Sequence, residues 1–282
     1  MNWLALDDLE PPAGGWLGAL RAAGYHGVQV IEPLSARLVD EARDLGLGVC
    51  GSGRVNLAAD AARLARQARG LGLEQLTIHL GWGLEDEAEG LALIDAVLEA
   101  SDGEGVAMHV ETHRATLFQD IWRTVQFADA RPQLRFTADL SHWYTGLEFV
   151  YGGIDRKLAF IAPVLDRVDS MHGRIGDPGC MQVDVGERPW TDPPPYVEHF
   201  QAMWARAFEG FVARRGTDAD FIFAPELLSP SLYYGRQTNG REDSDRWAQA
   251  LVLTALARDG FTKACARARQ VTDGAAPGLA SG

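Results

Sequence analysis

The sequence VAMHVETHR at residues 106–114 decides the fold prediction, because a β-strand pattern ends here in ionisable side chains. Successive side chains of a strand point to opposite faces. The apolar side chains therefore share one face and the ionisable ones the other: Val106, Met108 and Val110 against His109, Glu111 and His113. This combination is typical of a barrel strand that packs under helices outside and carries a site inside. We predict a buried strand with chemistry at its carboxyl end.

Short apolar runs alternate with amphipathic segments along the rest of the chain. The predicted strands are Trp3–Asp7, Val28–Glu32, Leu47–Gly51, Gln75–Leu80, 106–114, Leu134–Ser141, Val168–Ile175 and Phe221–Leu228. The predicted helices are Trp16–Ala23, Ser35–Leu45, Ala58–Leu71, Glu87–Ala100, Phe118–Ala130, Ile154–Leu165, Tyr196–Arg215 and Ser244–Arg258, with further helix to Gln270. Eight alternating units predict an α/β fold, a single (β/α)8 TIM barrel of parallel strands with its active site at the C-terminal strand ends. An open doubly wound sheet is the alternative, but no glycine-rich phosphate-binding loop follows the first strand.

The length of the chain fits one domain. The 282 residues, 46% of them apolar, are enough for one barrel of this kind. We predict a barrel domain over residues 1–271 and a flexible C-terminal tail over residues 272–282, where small residues dominate. The loop at 176–195 is long for a compact domain, which predicts a lid or a binding loop.

Charge and composition limit the partners. The net charge is −13, from 26 basic and 39 acidic residues, and no run of Lys and Arg occurs, so nucleic acid and membranes are poor partners. The three cysteines lack metal-binding spacing, which favours a reducing compartment. The N-terminal sequence does not resemble a signal peptide, and no apolar run approaches the ~20 residues of a membrane span. We therefore expect a cytoplasmic protein.

Four consecutive predicted strands deliver one metal-competent side chain each: Glu111, Asp139, His172 and Glu226. A lone acid at a strand end is more often a cap or a solvated loop residue, but four in succession favour a site. Buried carboxylates repel one another, and burying them unpaired costs several kcal/mol each. Three carboxylates and one imidazole predict a single divalent metal ion, Mn²⁺, Mg²⁺ or Co²⁺, with Zn²⁺ possible.

The motifs HVETH, FTADLSHW, SMHGRIG and APELL resemble the xylose isomerase-like barrel superfamily, from the second predicted strand to the eighth. That group includes ketose 3-epimerases, hydroxypyruvate isomerase, inosose dehydratase, 3-dehydroshikimate dehydratase and the endonuclease IV nucleases. The resemblance is strongest over Val106–Arg174 and is closest to a sugar phosphate isomerase/epimerase-like branch. It implies that Glu111, Asp139, His172 and Glu226 are metal ligands.

The resemblance also implies that His142, three residues after Asp139, contacts the substrate. The substrate-binding Arg of the epimerases lies several residues beyond the metal His, whereas Arg174 lies two residues beyond His172, so this correspondence is looser. The further candidates for substrate binding are His79, His113, Glu32, Trp82, Trp143 and Gln182. Asp184 and Arg188 are polar candidates in the long loop.

Several of these residues have a structural alternative. His109 is either a hydrogen-bonded core histidine or a support of the metal site. His113 is either a substrate contact or a loop residue. Trp82 and Trp143 either form pocket walls or cover the barrel rim as core.

The implied function is that of a metal-dependent isomerase or epimerase of a small keto sugar or polyol, acting through a metal-stabilised enediolate. Glu111 and Glu226 would serve as the catalytic base and acid. The alternative is a lyase or dehydratase of a keto-polyol or modified sugar at the same site. A third class is a non-catalytic sugar-binding barrel. The presence of all four candidate ligands argues against it, because a protein without catalysis would not need them. By analogy with relatives, a homo-oligomer is possible.

Overall fold

Parallel strands that are neighbours in sequence are also neighbours in the sheet. The computed structural model describes residues 1–186 and 190–274, and these contain seven parallel strands in the order β1 to β7. The strands are β1 (Gly27–Ile31), β2 (Gly48–Val55), β3 (Gln75–Leu80), β4 (Ala107–Glu111), β5 (Phe136–Ala138), β6 (Val168–Gly173) and β7 (Ile222–Pro225). This nearly closed parallel barrel confirms the predicted fold class.

Helices alternate with these strands and cover the outside of the barrel. They are α1 (Gly15–Ala22), α2 (Ala36–Asp44), α3 (Ala58–Leu71), α4 (Glu87–Glu104), α5 (Ile121–Ala130), α6 (Ser141–Gly146), α7 (Ile154–Leu165), α8 (Pro195–Arg215) and α9 (Arg246–Gly274). The two helical segments predicted after residue 244 form the single helix α9. A two-stranded antiparallel pair, β8 (Gln237–Thr238) and β9 (Arg241–Glu242), lies between β7 and α9.

The first predicted strand, Trp3–Asp7, is wrong, because Trp3–Leu6 is a 3₁₀ helix. The side chain of Asn2 accepts a hydrogen bond from the backbone N–H of Leu4 (2.9 Å), which turns the chain out of the extended conformation. The two residues before this turn close the barrel. Asn2 N donates to Pro225 O (3.1 Å), and Gln29 N donates to Met1 O (2.9 Å), so residues 1–2 stand between β7 and β1 in the eighth position.

The alternation of apolar and ionisable side chains predicted for residues 106–114 is confirmed in β4. Met108 and Val110 are buried in the hydrophobic core, and His109 and Glu111 are buried with polar partners. Helix α4 ends at Glu104 and is capped by Gly105, whose φ of 65° lies in the left-handed region that glycine adopts without strain. Val106 follows at once, so the chain enters β4 directly from the helix.

β5 is shorter than the predicted strand Leu134–Ser141 and ends at Ala138. The backbone N and the Oγ of Ser141 both donate to Asp139 Oδ1, at 3.0 and 2.6 Å. A carboxylate that accepts from the residue two positions later forms a turn instead of a strand. The turn starts α6 and holds Asp139 at the end of the strand.

A row of hydrogen-bonded polar side chains crosses the inside of the barrel. Gln29 Nε2 donates to Thr77 Oγ1 (3.0 Å), and Thr77 Oγ1 lies 2.9 Å from Thr137 Oγ1. Thr137 Oγ1 is 2.8 Å from Ser170 Oγ, which is 3.3 Å from His109 Nδ1. His109 is therefore a hydrogen-bonded interior histidine, the first of its two predicted roles. Its burial lowers its pKa to about 4, although Asp169 opposes this shift.

Three further predictions concern the long loop, the chain end and membrane-spanning segments. Within the described part of the long loop, 176–186 and 190–194, no helix or strand occurs before α8 begins. Arg188 and residues 275–282 of the predicted tail lie outside the described residues. No helix within 1–186 or 190–274 is long and apolar enough to cross a membrane.

Candidate metal centre

The four predicted ligands converge at the carboxyl ends of four neighbouring strands. Glu111 ends β4, Asp139 follows β5, His172 belongs to β6 and Glu226 follows β7. One donor atom from each lies within 4.8 Å of the donor atoms of the other three. All four residues are buried, and the most exposed of them is Glu226 at 7%. The strand ends of the barrel thus bring together side chains that are far apart in sequence.

His172 lies between two of the carboxylates. Its Nδ1 is 3.1 Å from Glu111 Oε1 and 3.5 Å from Glu226 Oε2. Its Nε2 donates to Gln29 Oε1 at 2.9 Å. Burial alone would lower the pKa of His172, but the neighbouring Glu226 and Glu111 outweigh it and raise that pKa to about 9. The hydrogen bond to Gln29 leaves Nδ1 directed at the carboxylates.

The three carboxylates are held by different neighbours. Burial opposes the ionisation of Glu111, but His172 and His79 outweigh it and hold the pKa of Glu111 well below its usual range. Burial likewise opposes the ionisation of Asp139, and Arg174 and His142 hold its pKa well below normal. For Glu226 burial dominates and raises the pKa. One buried cluster therefore contains carboxylates with opposite pKa shifts.

Arg174 lies inside the cluster. Its Nη2 donates to Asp139 Oδ2 and, at 2.7 Å, to Glu226 Oε2, and its side chain is fully buried. Its Nε and Nη1 have no hydrogen-bond partner within the described part of the chain. The ring of Tyr234 lies 4.6 Å from Arg174 Cζ, and Arg114 Cζ lies 4.9 Å from the same ring.

The donor set fits a divalent ion. A separation of at most 4.8 Å between donor atoms is about twice a metal–oxygen distance of ~2.0–2.6 Å, so one ion can contact all four. Three carboxylate oxygens and one imidazole nitrogen match the preferences of Mn²⁺, Mg²⁺ or Co²⁺ more closely than those of structural Zn²⁺. Glu111, Asp139, His172 and Glu226 can therefore hold one ion.

Three histidines form a row along the rim of the centre. His79 Nε2 donates to Glu111 Oε2 at 2.7 Å, and the rings of His79 and His113 are 4.4 Å apart. The rings of His113 and His142 are 3.9 Å apart, and His142 Nε2 lies 3.4 Å from Asp139 Oδ2. Burial lowers the pKa of His113 to about 3, so its ring is neutral at pH 7. The structure thus brings three predicted substrate-binding residues to the candidate metal ligands.

The two predicted pocket tryptophans lie in different environments. Trp82 is 52% exposed, and Arg54 Cζ lies 4.2 Å from the centre of its ring. Trp143 is fully buried in the hydrophobic core, and its Nε1 donates to Phe118 O at 2.9 Å. For Trp143 the structure therefore shows the core alternative that the sequence left open.

Glu32 and Gln182 are not brought into the cluster. Glu32 Oε1 forms an ion pair with Arg63 Nη1 at 2.7 Å, on the neighbouring helix α3. Gln182 Nε2 donates to Leu228 O (2.9 Å), and its Oε1 accepts from Leu228 N (2.8 Å). Gln182 therefore fastens the long loop to the segment that follows β7.

Sequence reasoning missed three residues that support the site. Asn2 Nδ2 donates to Glu226 Oε1 (2.6 Å) and to Gln29 Oε1 (2.8 Å). Gln29 fixes His172, and a glutamine between Val28 and Val30 of an apolar strand was the available signal. Tyr234 stacks on Arg174 from a loop, where no periodic pattern exists to reveal it.

Solved structures share this architecture. No family model and no curated protein matches the chain. A structure of an L-ribulose 3-epimerase is similar with a TM-score of 0.59 and 16% identity, covering 98% of this chain and 98% of that one. A xylose isomerase-like TIM barrel protein from Mycobacterium smegmatis, in complex with magnesium, is similar with a TM-score of 0.58 and 16% identity, covering 94% and 96%.

The chain has the xylose isomerase-like TIM-barrel fold. A third similar structure, described as "the probable 3-DHS dehydratase AsbF" from Bacillus anthracis, has a TM-score of 0.56 and 14% identity, and the match covers 91% of this chain and 96% of that one. Proteins of different named activities thus share this barrel architecture, so the activity has to be argued from the site.

Proposed function

We propose that this protein is a divalent-metal-dependent isomerase or epimerase of a small keto sugar or polyol. The observation that carries the proposal is the convergence of Glu111, Asp139, His172 and Glu226 within 4.8 Å at the active-site end of the barrel. The similarity to structures named as an L-ribulose 3-epimerase and a D-tagatose 3-epimerase-like protein supports the sugar substrate.

The four converging side chains would hold the ion. When bound, the ion supplies the positive charge that makes the C–H next to a substrate carbonyl acidic. Asn2 and Gln29 orient two of the ligands, because their amides bond to Glu226 Oε1 and His172 Nε2. The surrounding burial excludes water from the reacting atoms.

Glu111 and Glu226 would transfer the proton. Glu111 ends β4 and Glu226 follows β7, and their carboxylates lie 3.1 and 3.5 Å from His172 Nδ1. One carboxylate removes the proton from one face of the substrate, and the other delivers a proton to the opposite face or to the adjacent carbon. Such positioned proton transfer contributes about 10²–10⁴-fold to a rate.

The substrate oxygens would be bound by the rim residues. His142, His113 and His79 offer imidazole nitrogens beside the ligands, and Arg174 offers N–H groups that have no partner in the described chain. The exposed ring of Trp82 offers an apolar wall for the C–H face of a sugar.

A lyase or dehydratase at the same site is the alternative. It would use the same proton abstraction but would expel a leaving group from the next carbon. The similarity to the structure described as a 3-DHS dehydratase supports this alternative.

Incubation in D₂O separates these reactions. Mn²⁺-loaded protein would be offered a panel of ketopentoses, ketohexoses and keto-polyols. We expect it to incorporate deuterium next to a carbonyl in at least one of them, without loss of water or of another leaving group. Loss of water in the product mass would instead support the dehydratase. Absence of both exchange and elimination across the panel would contradict the proposal. Protein treated with EDTA is the control.

Substitution of Gln29 by leucine tests the orientation of His172. The variant removes the acceptor of the His172 Nε2 hydrogen bond. We expect Mn²⁺ affinity to fall about 10–100-fold in isothermal titration, because outer partners of metal-bound histidines have effects of this size. An unchanged affinity would show that Gln29 does not orient the ligand. Gln67→Leu, on a helix outside the barrel, is the matched control.

A further inference from the structure

We infer that Arg174 and the metal ion compete for the same carboxylate oxygens, so that the guanidinium holds the metal-free centre together and leaves when an ion binds. The inference rests on the proposed function, because it takes the metal site as given. It goes further by assigning Arg174 to the control of metal affinity and not only to substrate binding.

The first argument is that each carboxylate concerned has only one oxygen free for a cation. Asp139 Oδ1 accepts from the backbone N (3.0 Å) and Oγ (2.6 Å) of Ser141. Glu226 Oε1 accepts from Asn2 Nδ2 at 2.6 Å. The oxygens that remain, Asp139 Oδ2 and Glu226 Oε2, are the two that Arg174 Nη2 contacts. A metal ion that binds these carboxylates through Asp139 Oδ2 and Glu226 Oε2 therefore competes with Arg174 for them.

The second argument is electrostatic. Arg174 is charged at every accessible pH, and its side chain has no exposed surface in this position. Two cations on the same oxygens would repel each other by several kcal/mol in a partly desolvated site, so the presence of one weakens the binding of the other. The guanidinium of Arg174 is a fixed positive charge that contacts two of the three buried carboxylates, Asp139 and Glu226.

The third argument is that the guanidinium is only partly satisfied where it lies. Among the described residues, no atom bonds to its Nε or Nη1, and such buried unpaired donors are costly. One face of the group already rests on the ring of Tyr234, 4.6 Å from Cζ. A displaced Arg174 can keep this stacking while its N–H groups turn toward substrate oxygens. Metal loading would therefore also prepare the substrate site.

Variants of Arg174 test the competition through metal affinity, without an activity assay. Arg174→Met keeps an unbranched apolar stem but removes the guanidinium, with its charge and its N–H donors. We expect it to bind Mn²⁺ at least about tenfold more tightly than wild type in isothermal titration. In EDTA its melting temperature should fall, since the carboxylates lose their cation, and the rise on adding Mn²⁺ should be larger than in wild type.

Arg114→Met is the matched control. Arg114 Cζ lies over the same Tyr234 ring at 4.9 Å, but Arg114 is not among the residues that contact the carboxylates of the candidate ligands. We expect its Mn²⁺ affinity to stay within about twofold of wild type, since its charge is more exposed and screened. A structure of the wild type with Mn²⁺ gives a test that does not depend on the folding of any variant. Arg174 Nη2 should then no longer contact Asp139 Oδ2 or Glu226 Oε2.

The outcomes separate this inference from the proposed function. Equal or weaker Mn²⁺ affinity in Arg174→Met, or a metal-bound wild type with Arg174 in place, would overturn the inference and leave the proposed function standing. Binding by Arg174→Met but not by wild type would support the competition and contradict metal-dependent function of the native chain. Absence of Mn²⁺ binding in both wild type and Arg174→Met would contradict the inference and the proposed function together.

Discussion

Replacement of Glu111 by glutamine is expected to abolish both metal binding and turnover. Glu111 is fully buried, and its two oxygens contact His79 Nε2 (2.7 Å) and His172 Nδ1 (3.1 Å). The amide has almost the same shape but carries no charge and cannot take up a proton as a base. Loss of the proton transfer alone should lower kcat on the order of 10²–10⁴-fold, and loss of the ion adds to this.

The measurement is kcat with the substrate found in the exchange experiment, together with Mn²⁺ titration. Glu74→Gln is the matched control, because Glu74 immediately precedes β3 at the end of the barrel opposite the metal centre. We expect the control to retain wild-type affinity and turnover. A Glu111→Gln variant that keeps either property near the wild-type level would contradict the assigned role.

Replacement of Trp143 by alanine is expected to lower the stability of the fold far more than replacement of Trp82. The side chain is fully buried among core residues, and its indole N–H bonds to Phe118 O at 2.9 Å. The variant would leave a large cavity and an unpaired carbonyl group. The expected decrease in the free energy of unfolding is about 3–5 kcal/mol, measured by urea denaturation.

Trp82→Ala is the matched comparison. Trp82 is 52% exposed, and its main described contact is with Arg54, so the stability loss should be about 1 kcal/mol or less. Its effect should appear in KM if the ring contacts the sugar. Similar losses of stability in the two variants would show that burial does not separate the two tryptophans.

The convergence of the four candidate ligands could be predicted from sequence because strand periodicity and barrel topology together fix where a strand-end side chain points. Glu111 and His172 lie at such positions of β4 and β6, and the parallel order of the strands brings them to one rim. This argument needs only local patterns, so it does not depend on details of packing.

The remaining features depend on contacts between distant segments. Asn2 caps the 3₁₀ helix that forms where the first strand was predicted. It also bonds to Glu226, more than two hundred positions away in sequence. Trp82 and Trp143 both follow strands, yet only the structure separates the exposed ring from the buried one. The contact of Arg174 with two ligand carboxylates likewise depends on the curvature of the barrel, which no short motif encodes.

The metal content of the purified protein tests the central claim most directly. Wild type and Glu111→Gln would be loaded with excess Mn²⁺, freed of unbound metal by gel filtration, and analysed by mass spectrometry for metal per chain. We predict about one Mn²⁺ per wild-type chain, because the cluster offers one set of four donors that includes Glu111, Asp139, His172 and Glu226, and almost none in the variant. Wild type without bound Mn²⁺, Mg²⁺, Co²⁺ or Zn²⁺, or a variant that retains as much metal as wild type, would contradict the account.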